Sequence, residues 1–257
     1  MPAPPRVACV IPTHRRPALL AEALRSAAAQ SLSPSAIYVV DDEGGDQTRG
    51  VAATIARETA VPVHYCVHAD GRGPSTSRNF GARVADAEWL AFLDDDDRWL
   101  PDYLRAALAH EDADLVLVAR WDFDETGARR PGKSPAPSYD EQRWLRRNLG
   151  GTGSSMLIRR ALFLAIGGFD PKLRAGEDRD LVIRAMRAGA RYAAVGERLL
   201  EHRDAGARLT TDARAILTSQ LRFLRKHAHA MRAGDWVHAL RKIARALRGA
   251  RWRSPGR

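Results

Sequence analysis

The sequence predicts an α/β protein: a mostly parallel central sheet flanked by helices, followed by a basic helical extension. Apolar runs of strand length alternate with segments of helical spacing over the first 119 residues, which is typical of a parallel, doubly wound sheet. Two of the runs end in adjacent acids, Asp41/Asp42 and Asp94 to Asp97. After Leu209 the pattern changes to amphipathic helices rich in arginine.

The elements follow one another in an order that the local sequence justifies. Prolines open two of the helical segments, at Pro74 and Pro101. The predicted strands span 7–11, 36–42, 61–67, 89–95 and 114–119, and the predicted helices span 18–30, 48–58, 74–87 and a segment after Pro101. Ligands of such sheets bind beyond the carboxyl ends of the strands, so both acidic clusters are expected at one edge.

The second half of the domain is less regular. Residues 122–150 are rich in Gly, Pro and charge and predict a hairpin or a loop. In GTGSSMLI, residues 151–158, a strand follows a Gly/Ser segment that suits close approach of backbone N–H groups to a phosphate or an acceptor; an ordinary loop is an equal alternative. A helix, a Gly turn, a further helix and a strand are then predicted in RRALFLAIGGFD and GEDRDLVIRAMRAGARYAAV.

Length and composition indicate a globular protein. The 257 residues, 45% apolar and 28% charged, suffice for one large domain or two small ones. The longest apolar runs are too short to span a bilayer, and MPAPPRV lacks the apolar core of a secretion signal. Cys9 and Cys66 lie in strand-like runs and are expected to be buried thiols of a reducing compartment. We therefore expect a cytoplasmic protein, with a peripheral position at the inner face of the membrane as a further option.

Positive charge is concentrated at the C-terminal end. Residues 222–257 carry 11 Lys and Arg against one acid, Asp235, which accounts for the whole formal net charge of +10. This observation and the change of pattern divide the chain into a domain over 1–208 and an extension over 209–257. The extension has two apolar stripes, at 217, 221, 224, 228 and 231, and at Trp236/Val237, Leu240, Ile243/Ala244 and Leu247, the second one backed by Arg241, Lys242, Arg245 and Arg248.

Three interpretations of this extension differ in its partner. Packing of the apolar stripes on the domain, or on a second subunit to form a homodimer, ranks first. Contact with an anionic membrane surface ranks second and would place the site near a lipid-linked acceptor. Nucleic acid binding is disfavoured, because aromatic residues are not interleaved with the charges. The first two interpretations are compatible with each other.

The acidic run FLDDDDRWL, residues 92–100, predicts a cation site. In an extended chain alternate residues share a face, so Asp94 and Asp96 would point one way and Asp95 and Asp97 the other. Two carboxylates on one side suit Mg²⁺, which takes one or two carboxylates and completes its shell with water and phosphate oxygens. Asp97 and Asp102 are instead expected at the start of the helix after Pro101, where acids favour the helix dipole.

Four segments in order carry a resemblance to a known family. They are VIPTHRRPALLAEALRSAAAQ, VVDDEGGDQT, SRNFGARVADAEWLAFLDDDD and GGFDPKLRAGEDRDLVIRAMRAGA. Together they resemble family 2 glycosyltransferases of the GT-A (Rossmann-like) fold, over residues 6–205. Each motif alone is weak, whereas four in order at the expected separations are specific. The DDGSxDxT pattern of the family is only partly kept, as DDEGGDQT, in which Asp46 and Thr48 match.

The resemblance implies a role for each matching residue. The segment that lines the nucleotide base contains Pro12, Thr13 and Arg16, and the acid that binds the base is Asp42. The arginine that faces the diphosphate is Arg78, and the asparagine near the sugar is Asn79. The implied metal ligands are Asp96, with Asp94 beside it, and His202, while the implied catalytic base is Asp178. Asp95 and Glu177 also belong to the predicted donor-binding residues. Whether Asp95 contacts the sugar or only solvent is left open, and Glu177 is expected to act as an orienting residue.

The residues themselves leave alternatives open beside these roles. Glu177 and Asp178 follow a Gly-rich turn and open a helix, so Asp178 either projects into the cleft or serves the helix end. Arg78 is otherwise a surface arginine, and His202 is otherwise structural. Trp99 and Trp121 are expected in the core or the wall of the site rather than stacked on a sugar.

The predicted function is inverting, metal-dependent transfer of a sugar from a nucleotide-diphosphate donor, with a UDP-sugar favoured, to an unidentified acceptor hydroxyl. The resemblance implies Mn²⁺ or Mg²⁺ as the cofactor. A sugar nucleotidyltransferase is the enzyme alternative, although VIPTHRRP lacks the glycines of a phosphate loop. A catalytically inactive sugar-nucleotide-binding scaffold is the other alternative, and the presence of both the acidic pair and Asp178 argues against it.

Overall fold

The structure, a computed structural model, describes residues 5–68, 73–204 and 213–251. Its strands in these ranges are β1 (Val7–Thr13), β2 (Ala36–Asp41), β3 (Val63–Val67), β4 (Trp89–Phe92), β5 (Arg98–Trp99), β6 (Leu115–Phe123), β7 (Arg129–Pro131), β8 (Met156–Arg159) and β9 (Tyr192–Arg203). Its helices there are α1 (Pro17–Ala28), α2 (Asp46–Glu58), α3 (Pro74–Val84), α4 (Tyr103–Leu108), α5 (Glu141–Arg146), α6 (Arg160–Ala165), α7 (Glu177–Arg187), α8 (Ala213–His227) and α9 (Ala233–Arg251).

The strands form one mixed sheet, with the order β3-β2-β1-β4-β8-β6-β9-β5 and β7 paired to β6. The strands β3, β2, β1 and β4 are parallel to one another, and β6 is parallel to β9. Only part of the sheet therefore matches the predicted parallel winding, because β8 runs antiparallel to both of its neighbours. The parallel half brings the carboxyl ends of β1, β2 and β4 to one edge, as the sequence predicts.

The strand β1 lies inside the parallel half of the sheet and is buried on both faces. All seven of its residues are buried, as expected where helices cover both sides of a parallel sheet. On one side α1 buries the positions Leu20, Ala23, Leu24 and Ala27, which form a helical stripe. On the other side Gly81 lets α3 approach β1, since a Cβ there would lie 2.4 Å from Val10 Cγ1. This close packing fixes the level at which α3 presents its side chains to the sheet edge.

Several predicted boundaries are wrong. The hairpin predicted within 122–150 is present as β6 and β7, but α5 was not predicted; Asp140 caps it by accepting a hydrogen bond from Arg143 N–H at 3.1 Å. The strand predicted over 89–95 ends at Phe92, and the strand predicted within 151–158 starts at Met156 after a 3-10 turn. The two-residue β5 was also missed, because a strand so short carries no periodic signal.

Residues expected in the core are mostly there. Trp99 is buried and stacks on Tyr103, with ring centroids 4.4 Å apart, whereas Trp121 is half-buried under the guanidinium of Arg198. Both cysteine thiols are free; Cys9 is fully buried, and Cys66 is only partly buried.

The helix α8 packs against α7 of the domain. Phe223 and Leu224 are buried, and His227 Nε2 lies 2.9 Å from Asp180 on α7. Lys226 adds a second contact to Asp180, at 3.0 Å. Packing on the domain, the first of the three interpretations, therefore holds for α8. The boundary predicted at 208/209 lies outside the described residues. In the part of the chain that the structure describes, no helix is long and apolar enough to cross a membrane.

Candidate active site

The four-aspartate run forms a turn directly after β4. The N–H of Asp97 donates to the carbonyl of Asp94 at 3.1 Å, so the chain is not extended here. The predicted alternation of side chains between two faces is therefore wrong. Asp94 is directed toward α3, Asp95 and Asp96 toward the segment before α1, and Asp97 into the protein interior.

Arg78 on α3 is buried among carboxylates. It is 3% exposed, forms an ion pair with Asp94, and lies 4.0 Å from Glu177 on α7. Its guanidinium packs over the ring of Phe169 and against Gly153, where a Cβ would come within 2.9 Å of its nitrogen. Arg78 is therefore not a surface arginine; it joins the acidic run to the start of α7. Gly153, in the GTGSS segment, makes room for it.

The charges around Arg78 shift one another's protonation equilibria. Burial lowers the pKa of the Arg78 guanidinium, but the carboxylates of Asp94, Asp178 and Glu177 outweigh this effect and raise it. Burial raises the pKa of Asp178 well above its ordinary value, and the charge of Glu177 raises it further, against the opposing charge of Arg78. Burial likewise raises the pKa of Glu177. The cluster thus holds more carboxylates than cations.

Asp178 is the second residue of α7 and has one oxygen free for a ligand. Its Oδ1 is buried and has no hydrogen-bond partner within the described ranges. The residue before the helix is Gly176, with a φ of 83°, and α7 has no side-chain capping bond. A capping bond from Asp178 is therefore not seen, while its place in the first turn of α7 still favours the helix dipole. A buried, unpaired carboxylate oxygen is costly to keep, which is typical of a group whose partner arrives with a substrate.

The segment between β1 and α1 meets the middle of the acidic run. Pro12 and Thr13 end β1 and are buried, and Thr13 Oγ1 donates to Asp95 at 2.9 Å. Arg16 Nη1 lies 3.4 Å from Asp95 and 3.0 Å from Asp96. Burial raises the pKa of Asp95 to about 7 and that of Asp96 to about 6, and neighbouring carboxylates add to both shifts. Arg16 alone therefore does not balance these charges.

The two acids at the end of β2 have different environments. Asp41 is buried, and the Tyr65 hydroxyl donates to it at 2.7 Å. Burial raises the pKa of Asp41, but this hydroxyl and nearby backbone N–H groups outweigh burial and lower it. Asp42 Oδ1 instead lies 2.5 Å from Nδ1 of His14, whose side chain is half exposed. His14 was not among the predicted residues. Its position within the segment predicted to line the base was the sequence feature that could have indicated it.

Asn79 makes a contact that the sequence did not predict. Its amide donates to the carbonyl of Phe169 at 2.8 Å and accepts from the N–H of Phe169 at 2.8 Å. These two bonds attach α3 to the Gly turn after α6, where Gly168 has a φ of 66°. The structure thus directs Asn79 to a backbone segment, whereas the resemblance implies a place near the sugar.

Asp97 connects three segments, and its expected position at a helix start is wrong. It is 1% exposed, accepts from Ser154 Oγ at 2.5 Å and from the N–H of Arg203 at 3.0 Å, and lies 3.1 Å from His202 Nδ1. Ser154 Oγ in turn accepts from the N–H of Asp94 at 3.0 Å. Asp97 thus orients both His202 and the start of the acidic turn. Its partners are about 60 to 100 residues away, so no local pattern could have found it.

The predicted metal ligands suit a divalent cation in their chemistry. Asp94 and Asp96 are partly exposed carboxylates, and an imidazole whose Nδ1 faces a carboxylate, as that of His202 does, is the usual form of a metal-bound histidine. Burial first, and then the charges of Asp97 and Asp94, raise the pKa of Asp96, against the opposing charge of Arg16. In the described ranges, however, no three His, Cys, Asp or Glu side chains are arranged to hold a metal ion. A cation held by these residues would complete its shell with water and phosphate oxygens.

The contact between Asp97 and His202 predicts a pH-dependent stability for the metal-free protein. Burial lowers the pKa of His202, but the hydrogen bond and charge of Asp97 outweigh burial and raise it above 6.5. Folding then favours the protonated imidazole, so this contribution is complete below pH 6.5 and is lost as pH rises through the folded-state pKa. We expect His202→Asn to lower the Tm in EDTA more at about pH 5.5 than at about pH 8.5.

His110→Asn is the matched control, because His110 is exposed, and its effect on Tm should not depend on pH. An equal loss of Tm for His202→Asn at both pH values would contradict the prediction.

The mixed sheet, the acids that follow β2 and β4 and the carboxylate that opens α7 are features that the resemblance to glycosyltransferases predicts. The profile described as Glycosyl transferase family 2 matches residues 8–167. The chain belongs to this family.

Individual relatives agree with this assignment. An uncharacterized glycosyltransferase of Haemophilus influenzae is 26% identical over 183 residues, which are 69% of this chain and 60% of the relative. Succinoglycan biosynthesis protein ExoO of Rhizobium meliloti is 30% identical over 204 residues, which are 74% of this chain and 58% of the relative. The chain thus spans about three fifths of the length of these relatives.

A solved structure shares the fold. The S. aureus TarS 1-349 structure in complex with UDP-GlcNAc superposes with a TM-score of 0.65 at 19% identity, over 94% of this chain and 81% of that chain. The comparison confirms the predicted GT-A fold.

Proposed function

We propose that this protein transfers a sugar from a UDP-sugar to an acceptor hydroxyl with inversion at the anomeric carbon, with the help of Mn²⁺ or Mg²⁺. The observation that carries the proposal is the buried, unpaired Oδ1 of Asp178, beside an arginine that also pairs with the acidic turn. This contact between the two groups supports a base on the acceptor side of the proposed donor site. A single displacement needs one such base on the acceptor side.

The donor nucleotide is assigned to the edge formed by β1 and β2. Pro12 and Thr13 end β1, Asp42 directly follows β2, and Arg16 lies within reach of Asp95. UDP as the nucleotide is supported by the TarS structures, whose titles name UDP-GlcNAc and UDP as ligands. At 19% identity these ligands belong to TarS and serve here as a reason to test UDP first.

In the proposed reaction Asp178 takes the proton of the acceptor hydroxyl. The acceptor oxygen forms a bond to the anomeric carbon while the bond from that carbon to the diphosphate breaks, and the diphosphate leaves with the electron pair. Negative charge grows on the diphosphate, so a fixed cation near it lowers the barrier. Arg16, beside Asp96, is the partly exposed cation available for that role.

Asp94 and Asp96 would hold the divalent cation together with phosphate oxygens of the donor, and the cation would supply positive charge to the leaving diphosphate. His202 stays the predicted third ligand, although in the described ranges the three side chains are not arranged as a metal site. Asp97 would keep the His202 ring oriented through its contact to Nδ1. Arg78 would hold Asp94 from the interior.

A ligand screen tests the proposal. Thermal shift with UDP, GDP and CDP, each with and without Mn²⁺, should show stabilisation by UDP that increases with the metal, because a ligand of the folded state raises Tm. Asp42→Asn should weaken the response to UDP, while Asp86→Asn, at an exposed acid far along the chain, should not. UDP-sugars that pass the screen are then assayed for release of UDP with candidate acceptors.

The outcomes separate the rivals. Absence of stabilisation by any nucleotide would overturn the donor assignment. Metal-dependent binding without release of UDP from any donor would favour a binding scaffold, and formation of a nucleotide sugar from a sugar phosphate and UTP would favour a nucleotidyltransferase.

A further inference from the structure

The large apolar side chains of α9 face away from the domain on which the helix packs. Asp235 and Ala239, one turn apart, are buried against the domain, and Asp235 pairs with Arg146 at 2.5 Å. Trp236, Val237 and Leu240 lie on the opposite side and are 38%, 47% and 61% exposed. An exposed tryptophan and leucine one turn apart form a continuous apolar strip on a helix. A strip of this kind marks an interaction surface.

The exposed charged residues on α9 and directly before it are positive over the described side chains. Arg232 and Arg241 are exposed, and the one acid between residues 213 and 251, Asp235, is buried and paired. Residues 242–251 of the same helix add four more Lys and Arg and no acid. The whole formal excess of +10 lies at this end of the chain, as described above, while the remainder is neutral. The occupant of the strip must therefore combine an apolar interior with negative charge.

We propose that α9 docks on an anionic phospholipid surface. An in-plane amphipathic helix buries Trp and Leu at the boundary between head groups and acyl chains, while flanking Arg and Lys side chains meet the anionic head groups. A tryptophan suits that boundary, because its ring is apolar and its N–H finds polar partners.

A second copy of the chain fits the strip less well. A symmetric dimer would bring the same patch of each protomer together. Both α9 helices would then meet with their arginines side by side and without exposed acids between them, which is unfavourable.

Vesicle binding by the full chain tests the proposal. The protein is mixed with extruded vesicles of phosphatidylcholine alone, or of phosphatidylcholine with phosphatidylglycerol, and the bound fraction is measured by sedimentation. We expect binding to the anionic vesicles only, and weaker binding as salt screens the charges. Trp236→Ser with Leu240→Ser should lower the partition coefficient by about tenfold or more. Arg241→Gln should lower it about fivefold, the equivalent of one basic residue near a charged surface.

Matched control variants change residues of the same type elsewhere. Val84→Ser replaces an apolar residue that is 46% exposed on α3, and Arg57→Gln removes an exposed charge on α2. Neither should change vesicle binding, and far-UV circular dichroism should show that every variant is folded.

Three results would overturn the proposal. The first is equal binding to neutral and anionic vesicles. The second is vesicle binding by the Trp236/Leu240 variant that is as strong as that of the wild type. The third is a wild-type protein that binds no vesicles and is a dimer in light scattering, with the Trp236/Leu240 variant monomeric. None of these measurements uses the transfer reaction, so the proposal stands or fails independently of the function proposed above.

Discussion

Replacing Asp178 with asparagine is expected to lower kcat for sugar transfer by about 10²- to 10⁴-fold, with little change in the affinity for UDP. Asparagine has the shape of aspartate but cannot take the proton of the acceptor hydroxyl. Asp178 belongs to α7 and not to the strand ends assigned to the nucleotide, so binding of UDP should persist. Steady-state kinetics with saturating donor and calorimetric titration of UDP measure the two quantities separately.

The pH profile adds a second measurement of the same group. Burial and the charge of Glu177 raise the pKa of Asp178, so its ionised form appears at a higher pH than for an ordinary aspartate. A base acts in its ionised form, and kcat/KM should therefore rise with pH through a limb above pH 3.8, the ordinary pKa of aspartate. Glu177→Gln removes the adjacent like charge, which should move this limb to lower pH without abolishing transfer. Near wild-type kcat in Asp178→Asn, with UDP binding intact, would show that another group is the base.

Replacing Arg78 with methionine is expected to destabilise the protein by about 3–5 kcal/mol, the usual cost of removing one partner from a buried charge cluster. Methionine fills much of the same volume, so the loss reflects charge rather than a cavity. Without the guanidinium, Asp94, Glu177 and Asp178 would repel one another with no cation among them. Urea unfolding gives the difference in the free energy of unfolding.

Two variants make this measurement specific. Arg83→Met changes an exposed arginine on the same helix and should alter the free energy of unfolding by about 0.5 kcal/mol or less. Adding Asp94→Asn to the Arg78→Met variant removes one of the stranded charges and should recover part of the loss, which a double-mutant cycle quantifies. A loss below about 1 kcal/mol for Arg78→Met would mean that solvent in the cleft screens these carboxylates.

Local patterns predicted the parallel half of the fold well. The strands β1, β2 and β4 are mainly apolar, β3 is interrupted by His64, and Pro74 is at the first position of α3 as predicted. The placement of acids beyond β2 and β4 follows from strand direction alone. The antiparallel β8 could not be predicted, because the direction of a strand depends on the path of the chain through the preceding 30 residues rather than on its own sequence.

The contacts within the candidate site show the same limit. Motif position singled out Arg78, Asp94 and Asp178, but their mutual burial became apparent only in the structure. The run of four aspartates was expected to alternate, yet a turn gives each of them a different neighbour. Asp97 was assigned to the next helix because proximity in sequence was the only guide, while its partners are on β9 and in the turn before β8.

The attachment of α8 to α7 bears on how this chain could evolve. Asp180, two residues beyond the candidate base, is fully buried; it forms ion pairs with Lys226 of α8 and Arg184 of its own helix and lies 2.9 Å from Nε2 of His227 on α8. A recombination event that exchanged everything after residue 204 for another sequence would leave Asp180 short of two of these partners. The C-terminal part is therefore not a freely interchangeable module, and a lineage that acquires a new tail must also adjust the helix that carries the base.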